Sequence, residues 1–394
     1  MKSLKYLSCL IALFLCFSFS GCRKIESNLS VDDATDTKTT QAESTAGDET
    51  SVLPEEETVT LFMVGDVLLH ERVVESGLRD DGSYNFDHFF RNVKEDIEKA
   101  DIAIVNQEVI LGGAPLGISG YPNFNGPFEV GDALTDAGFD VVLHATNHAL
   151  DRGSDGIMNC IGFWKTEHPE IAVLGINETA EEQNTVFVQT VNGMKIAILN
   201  YTYGTNGIPL PDGMPYAVNL LDEDTLTSDL KKAEEIADFT VVCPHWGTEY
   251  SHETDENQRY WANLMIENGA DLIIGTHPHV IEPVEIVGGV PVYWSLGNYI
   301  NSTAETGDGV ADRMLGAAAN VTLAKNGDKV VIRDYGVIPL VCHVADGTEM
   351  TTYRLSDYTE ALAAENGIMS SDSSFSLDYI KSLAQRIFGD LCMN

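Results

Sequence analysis

The sequence predicts an α/β protein in which two sheets pack against each other and helices cover their outer faces. Apolar runs of strand length alternate with stretches of helical spacing from residue 59 to about residue 300. In the second half, the turns Asn192-Gly193, Gly288-Gly289 and Asn326-Gly327 join neighbouring runs into hairpins. Hairpins join antiparallel strands, so these turns disfavour a purely parallel sheet.

Each predicted element rests on the spacing of its apolar residues. Short continuous apolar runs predict buried strands, whereas apolar residues three and four apart with a charged face predict helices. Strands are expected at 59–67, 101–105, 140–143, 171–174, 185–191, 195–200, 239–243, 272–275, 281–287, 290–296, 315–324 and 329–337. Helices are expected at 86–100, 129–137, 154–165, 222–237, 258–268 and 377–388. With no internal repeat in sight, we predict one domain over 58–340 and a C-terminal extension, 341–394, that packs on it.

The first 21 residues have the composition of an export signal. Lys2 and Lys5 precede the apolar run 10–15, and small residues lead up to Cys22. This pattern resembles a bacterial lipoprotein signal, with cleavage before Cys22 and a lipid on its thiol. An ordinary secreted protein with an incidental Cys22 is the alternative. The lipoprotein interpretation is favoured, and it predicts a lipid anchor in the cell membrane with the protein on the extracytoplasmic face.

Composition and charge limit the partners that the chain can bind. Residues 22–57 are polar, acidic and almost free of large apolar side chains, which predicts a disordered tether. The formal charge of −38 disfavours binding to nucleic acid or to bare anionic lipid. It would also repel a polyanionic substrate unless metal ions or a local basic patch offset it.

The cysteines beyond the signal carry no zinc or redox motif, because none of them forms a CxxC pair. A disulfide among the four is left open. They are Cys160, Cys243, Cys342 and Cys392.

Polar blocks follow the apolar runs at the points where strands are expected to end. The blocks cover 62–66, 106–108, 145–148, 244–247 and 275–279. In open α/β sheets, ligands bind where the chain leaves the carboxyl ends of the strands. Carboxylate, amide and imidazole groups together suit Mn, Fe or Zn better than Ca. The blocks therefore predict the metal site of a metal-dependent hydrolase scaffold.

The first two blocks supply oxygen ligands. Gly65 permits a tight turn and Asp66 can ligate a metal, although a Gly-Asp pair is more often a simple turn. Glu108 has two oxygens and can bridge two ions, and Asn106 offers an amide oxygen, yet such residues also cap turns. We interpret His70, four residues after Asp66, as a surface histidine.

The third block combines a metal ligand with a proton carrier. Asn147 offers an amide oxygen, and His148 could protonate a leaving oxygen because imidazole titrates near neutrality. Asp151 could orient His148 or cap the following helix. A helix start with a surface histidine is the alternative.

The last two blocks supply imidazoles. His245 lies beside Trp246 and could be a ligand or a core residue. His277 and His279 flank Pro278, and both reach one site only if Gly275 and Pro278 shape the backbone suitably.

These blocks, taken in chain order, resemble the CapA (PgsA) poly-γ-glutamate capsule synthesis family. The resemblance includes Glu249, shortly after the fourth block, and Asn298, after the run 290–296. That family belongs to the calcineurin-like metallophosphoesterase superfamily, and the match covers about residues 58 to 300. The resemblance implies a four-layer αββα sandwich with two divalent transition metal ions, Mn, Fe or Zn, at one sheet edge.

The resemblance also implies roles for single residues. Glu108 would bridge the two ions, and His148 would be the acid that faces the substrate. Beside these implied roles, we predict Asp151 as a catalytic residue with His148, and Asn106, Glu249 and Asn298 as residues that surround the ligands or contact substrate. The implied ligands are Asp66, Glu108, Asn147, His245, His277 and His279.

The chain departs from the wider superfamily at two positions. Val67 and Leu68 follow Asp66, so the usual Asp-x-His opening is absent, and Glu108 replaces the bridging aspartate. Both features resemble the bacterial cyclic-nucleotide phosphodiesterase branch, which retains binuclear chemistry.

Three functions are compatible with these features. The first is a binuclear hydrolase in poly-γ-glutamate capsule synthesis or export, working with capsule membrane components. The second is an inactive assembly protein whose metal site binds polymer carboxylates, and the third is a phosphodiesterase unrelated to capsule. Polymer binding without phosphoester turnover would indicate the second, and the reverse would indicate the third.

Overall fold

The computed structural model describes residues 57–303, 305–345 and 349–393. The predicted signal peptide, Cys22 and all but the last residue of the predicted tether lie outside these residues. Among the helices in the described ranges, none combines the length and the apolar character that crossing a membrane requires.

Strands and helices alternate through the described chain, as the sequence predicts. The strands are β1 (Thr58–Val67), β2 (Ile102–Gln107), β3 (Val141–Leu143), β4 (Ala172–Leu174), β5 (Phe187–Val191), β6 (Met194–Thr202), β7 (Phe239–His245), β8 (Leu272–Ile274), β9 (Val284–Val287), β10 (Val290–Tyr293), β11 (Asn298–Ile300), β12 (Leu315–Asn326), β13 (Lys329–Ala345) and β14 (Glu349–Arg354). The helices are α1 (Glu71–Gly77), α2 (Lys94–Lys99), α3 (Glu129–Ala137), α4 (Gly153–Glu167), α5 (Ala180–Gln183), α6 (Glu223–Ile236), α7 (Glu256–Glu267), α8 (Glu360–Glu365) and α9 (Leu377–Phe388).

The strands form two sheets, and each sheet combines parallel with antiparallel strand pairs. The first sheet has the order β14-β13-β12-β1-β2-β3-β4, and β11 also pairs with β1. Its strands β1 to β4 run parallel, whereas β12, β13 and β14 are antiparallel. The second sheet has the order β5-β6-β7-β8-β10-β9, and its edge strands β5 and β9 close the two predicted hairpins.

The two sheets share one hydrophobic core, and helices cover their other faces. Successive residues of β7 point to opposite sides of the second sheet. Val241 belongs to the large core cluster that also contains Val64 of β1. Val242 belongs to a smaller cluster with Leu226 of α6 and Met265 of α7. The predicted α/β fold, a four-layer αββα sandwich, is confirmed.

One predicted helix is largely wrong. Instead of a helix over 86–100, the chain forms a short 3₁₀ turn at Asp87–Phe89 and the helix α2 only from Lys94. The helical spacing there comes from phenylalanines that pack on one another, with ring centroids 5.2 Å apart for Phe86 and Phe89. Phe90 stacks on Tyr299 at 5.3 Å. Tertiary packing of aromatic rings therefore overrides the local helical pattern.

The end of β1 is built by close backbone approach. Gly65 lies inside the strand rather than in the turn that the sequence indicated. A Cβ atom on Gly65 would lie 1.9 Å from the Gly297 carbonyl oxygen, so only glycine lets the two chains meet here. The next residue, Asp66, pairs with Asn106 of β2 on one side and with Asn298 of β11 on the other.

Residues after 340 complete the first sheet and its core. β13 runs through position 340, and β14 pairs with its last residues from Leu340 to Ala345. Leu377, Ile380 and Leu383 of α9 belong to the same core cluster as β1.

Replacing Gly65 with alanine tests the close approach at the end of β1. We expect Gly65→Ala to lower the free energy of unfolding by about 2 kcal/mol or more, because the added methyl group would overlap the Gly297 carbonyl. Gly162→Ala is the matched control, since a Cβ there meets nothing within 4 Å and Gly162 lies on the exposed side of α4. The control should gain about 0.5–1 kcal/mol. Urea unfolding in the presence of a chelator measures both, and equal stability of Gly65→Ala and the unaltered protein would contradict the close approach.

Candidate metal centre

The carboxyl ends of five parallel strands deliver the predicted ligands to one edge of the sandwich. Asp66 is the second-last residue of β1, Glu108 directly follows β2, and His245 is the last residue of β7. The loops after β3 and β8 carry Asn147 and the His277-Pro278-His279 segment. The six predicted ligands are all buried: Asp66, Glu108, Asn147, His245, His277 and His279.

These side chains form overlapping groups, each compact enough to hold a metal ion. In every group, one ligand atom from each residue lies within 4.8 Å of the others. Glu108 belongs to two of the groups, one with His245 and His277 and one with Asp66 and His279. Glu108 is therefore the residue that these two groups share.

Several polar atoms at this centre have no hydrogen-bond partner within the described part of the chain. They are both carboxylate oxygens of Glu108, Oδ1 of Asn106 and Nδ1 of His277. Buried polar atoms without a partner destabilise a fold, so atoms that converge in this way indicate a missing ligand. Carboxylate and amide oxygens with imidazole nitrogens are donors that suit a divalent transition metal. The residues fit such an ion.

His245 is held in place by neighbours on both sides of its ring. Its Nδ1 lies 2.9 Å from Oγ1 of Thr276, and its Nε2 lies 2.9 Å from Oδ1 of Asn147. The same Nε2 is 3.8 Å from Oε1 of Glu108. An imidazole nitrogen, an amide oxygen and a carboxylate oxygen therefore point at a common space. The sequence did not single out Thr276.

His279 is oriented by Asn298. Nδ1 of His279 lies 3.1 Å from Oδ1 of Asn298, and the Asn298 amide donates to the His279 carbonyl at 3.0 Å. This arrangement leaves Nε2 facing Oε1 of Glu108 at 3.6 Å. Asn106 plays a similar part for Asp66, because its amide donates to Oδ1 of Asp66 at 2.8 Å. Asn298 thus orients the imidazole of His279, and Asn106 orients the carboxylate of Asp66, by hydrogen bonds.

The charges at the centre balance one another only partly. Burial raises the pKa of Glu108 well above its usual value. Burial and then the neighbouring histidines lower the pKa values of His245 and His277 far enough to keep both rings neutral, the form that binds metals. Burial also lowers the pKa of His279, but the carboxylates of Glu108 and Asp66 outweigh it and raise that pKa to about 9.

The backbone around the histidines is strained. His277 has φ 103° and His279 has φ 59°, in a region that residues other than glycine seldom adopt. The segment is therefore not a regular pleat, and both imidazoles reach one group with Glu249. Gly275 makes this possible, because a Cβ there would lie 2.2 Å from the Trp294 carbonyl oxygen.

His148 and Asp151 form a pair beside the metal ligands. Nδ1 of His148 lies 2.8 Å from Oδ2 of Asp151, which also accepts from the backbone N–H of Phe124 at 2.8 Å. An ionised carboxylate can only accept hydrogen bonds, so His148 donates to it from Nδ1, which leaves Nε2 for other partners. The Phe124 ring contacts the imidazole edge-on, with centroids 4.6 Å apart.

A cavity of about 680 Å³ opens beside this pair. Asn147, His148, Asp151 and Glu249 line it together with side chains that the sequence did not single out. The sequence interpretation of His70 as a surface residue misses its place in this wall, where burial lowers its pKa to about 4. The wall also includes Asn206, Tyr250, Glu305 and Arg313. They follow no strand-end pattern, so sequence spacing could not identify them.

A comparison with protein families identifies the family of this chain. The family described as "Bacterial capsule synthesis protein PGA_cap" matches residues 60–303, which contain all six predicted ligands. The chain belongs to this family. The resemblance seen in the sequence is thereby confirmed.

Two relatives of this PGA_cap chain are capsule proteins of bacilli. The "PGA biosynthesis protein CapA" of Bacillus subtilis (strain 168) is 34% identical over 168 residues, which cover 42% of this chain and 44% of that protein. The "Capsule biosynthesis protein CapA" of Bacillus anthracis is 29% identical over 255 residues, which cover 62% of this chain and 60% of that protein. The matches thus span about half of these relatives.

Solved structures resemble the chain more distantly. The calcineurin-like phosphoesterase YfkN from Bacillus subtilis is 13% identical, with a TM-score of 0.44, over 83% of this chain and 100% of that one.

Replacing Glu108 with glutamine tests whether its oxygens hold metal. We expect Glu108→Gln to weaken the binding of Mn, Fe or Zn about tenfold or more, because the substitution removes a carboxylate shared by two ligand groups. Glu282→Gln is the matched control. Glu282 is also fully buried with one unpartnered oxygen, and burial raises its pKa to about 8, so it is uncharged at neutral pH.

Elemental analysis of bound metal after dialysis measures both variants. The control should keep the metal content of the unaltered protein. An unchanged metal content in Glu108→Gln would show that Glu108 is not a ligand.

Proposed function

We propose that this PGA_cap protein is a metal-dependent hydrolase that acts in the synthesis or export of a poly-γ-glutamate capsule. One observation carries the proposal: the Glu108 carboxylate is fully buried, without a hydrogen-bond partner in the described chain, and shared by two compact ligand groups. A bound cation would neutralise a carboxylate in this position and would give both of its oxygens a partner.

The two ligand groups support a site for two divalent transition metal ions. Asp66, Glu108 and His279 would hold one ion. Glu108, His245 and His277 would hold the other, and Asn147 would join them because its Oδ1 lies beside Nε2 of His245. Bound ions of this kind act as Lewis acids on a substrate oxygen and activate water for attack.

The chain itself supplies the proton. Asp151 holds the imidazole of His148 through Nδ1, which turns Nε2 toward a group bound in the cavity. Protonated on both nitrogens, His148 would donate from Nε2 to the leaving nitrogen or oxygen as the bond breaks, and Asp151 would stabilise the charged ring. Phe124 packs against the ring and limits its movement. A protein that only binds polymer has no need of such a pair, which favours the hydrolase over the inactive assembly protein.

The family supports capsule polymer as the substrate. Both bacillus relatives are described as capsule or PGA biosynthesis proteins, and the γ-linked amide bonds of the polymer are bonds that a hydrolase could cut. Poly-γ-glutamate and the membrane components of capsule synthesis are therefore the proposed partners. A phosphodiesterase unrelated to capsule is the second candidate, because a metal centre with a proton donor also suits phosphoester hydrolysis.

Replacing His148 separates catalysis from metal binding. We expect His148→Ala to keep its metal and to lose about 10²- to 10⁴-fold in turnover, because the proton donor is removed while the ligands remain. His168→Ala is the matched control, since His168 also pairs with a carboxylate, Asp132 at 2.7 Å, on a different part of the surface. The control should retain full turnover.

The assay compares the release of amino groups from poly-γ-glutamate with the release of alcohol from a phosphodiester. Amide cleavage supports the capsule hydrolase, and phosphoester cleavage alone supports the second candidate. If the metal-loaded protein cleaves neither substrate, it is not a hydrolase of either kind, and polymer binding then remains as the function of the site.

The proposed location of the protein is the extracytoplasmic face of the cell membrane, with a lipid on Cys22. We expect Cys22→Ala to release the protein from the membrane fraction, because one thiol carries the whole anchor. Cys16→Ala, in the same predicted signal peptide, is the control and should stay in the membrane fraction. Membrane retention of Cys22→Ala, measured by fractionation and immunoblotting, would argue against lipid attachment.

A further inference from the structure

We propose that Arg313 binds an anionic group of the substrate, a carboxylate or a phosphate, in the cavity beside His148. Arg313 would then decide which substrates the site accepts. The inference rests on the proposed function in one respect, namely that substrate occupies this cavity.

The backbone of Arg313 is tied to the metal centre. Arg313 lies in the 3₁₀ turn Ala311–Met314, just before β12. Its carbonyl oxygen accepts from Nδ2 of Asn298 at 3.2 Å. The same amide donates to the carbonyl of His279, and Oδ1 of Asn298 contacts the His279 ring. One asparagine therefore sets the position of Arg313 relative to a predicted metal ligand.

The preceding residue anchors the turn from the other side. Oδ2 of Asp312 lies 3.0 Å from Nε2 of His252, and its Oδ1 accepts from the Tyr379 hydroxyl of α9. His252 in turn contacts the carbonyl of Ile281 through Nδ1 at 2.7 Å. The turn is thus fixed by the C-terminal helix and by the loop after β8, and the Arg313 side chain is held over the cavity.

The guanidinium group of Arg313 has a hydrogen-bond donor without a partner among the described residues. Arg313 is only 9% exposed, and its Nε is buried without a hydrogen-bond partner in the described ranges. Its Nη1 contacts Oε2 of Glu305 at 2.6 Å, but the Glu305 side chain is 61% exposed. Exposed ion pairs contribute little, so an incoming anion could take the place of Glu305. A guanidinium with free donors binds carboxylate or phosphate through two parallel hydrogen bonds.

Tyr250 connects Arg313 with the metal ligands. The guanidinium carbon lies 3.6 Å from the centroid of the Tyr250 ring, and the other neighbour of that ring is His279, with centroids 6.0 Å apart. Tyr250 has φ 65°, a strained conformation for an aromatic residue, and its N–H donates to the Pro278 carbonyl at 2.7 Å. The Tyr250 ring thus lies between the guanidinium group of Arg313 and the predicted metal ligand His279.

The charge of the protein favours such a residue for an anionic substrate. The chain has 61 acidic and only 23 basic residues, and the cavity wall carries Glu71, Asp151, Glu249 and Glu305 against Arg72 and Arg313. An anion entering this space would meet repulsion from the wall. A largely buried arginine, desolvated in advance, offers a strong local attraction because screening by water is weak there.

Binding measurements on the full-length, metal-loaded protein test the inference. The probes are inorganic phosphate, a γ-linked glutamate pentamer, and the same pentamer with every carboxylate converted to an amide. We expect Arg313→Met to weaken at least one of the two anionic probes about 10- to 100-fold in calorimetry, because the variant loses the charge-assisted hydrogen bonds. Binding of the amide pentamer should not change. Arg313→Lys should bind the anionic probes with intermediate affinity, since lysine keeps the positive charge but cannot form the two parallel hydrogen bonds of a guanidinium group.

Two further variants sharpen the result. Glu305→Gln should tighten anion binding, because it removes the carboxylate that competes for Nη1. Arg259→Met is the matched control: Arg259 also lies over an aromatic ring, Trp294 at 5.2 Å, and also pairs with a carboxylate, Glu285 at 3.0 Å, but away from the cavity. It should bind all probes as the unaltered protein does.

The outcomes distinguish a carboxylate from a phosphate as the bound anion. They also distinguish the role of Arg313 from the proposed hydrolase function. Dependence on Arg313 for the pentamer alone identifies a carboxylate, and dependence for phosphate alone identifies a phosphate. Three results would each overturn the role of Arg313. The first is unchanged anion binding in Arg313→Met at full metal content. The others are equal losses of binding for the charged and the amide pentamer, and no anion binding by the unaltered protein. Failure of the proposed function would show instead as missing metal or missing turnover, which elemental analysis and the cleavage assays measure independently.

Discussion

The burial of Glu108 is the constraint on which the rest of the site depends. A carboxylate removed from water with both oxygens unpaired is costly, and burial accordingly raises its pKa. The surrounding residues form a shell that can compensate this cost only in part, through His279 at 3.6 Å. A bound cation would complete the compensation and would then couple metal binding to the stability of this edge of the sandwich.

The loops around the buried Glu108 have strained backbone conformations. His277, His279 and Tyr250 all have positive φ angles, and all three lie in loops that converge on this centre. Such conformations persist only where the surroundings over-determine them. Here the strands supply that support: Gly275 packs directly against the Trp294 backbone, and Gly65 packs against Gly297. Rigid parallel strands thus hold imidazoles in directions that a regular extended chain would not allow.

The site divides its work between two kinds of residue. Ligands lie at the strand ends and are buried, whereas His148, Asp151 and Arg313 line the open cavity beside them. If the proposed capsule polymer is the substrate, this division would suit the strongly negative charge of the chain, because cations would be concentrated where the anionic polymer is cut. Asn298 joins the two parts, since it contacts both His279 and the backbone of Arg313.

The sequence by itself determined the two-sheet α/β fold and the placement of candidate ligands, including Asp66, Glu108 and His245, near the strand ends. It could do so because hydrophobic periodicity is local, and because the carboxyl ends of parallel strands meet at one edge. Only the tertiary structure decided the positive φ angles at His277 and His279, the packing of 86–93 and the presence of Arg313 beside His148. Those features come from contacts between residues far apart in the chain, such as Gly65 with Gly297, which leave no periodic trace in the sequence.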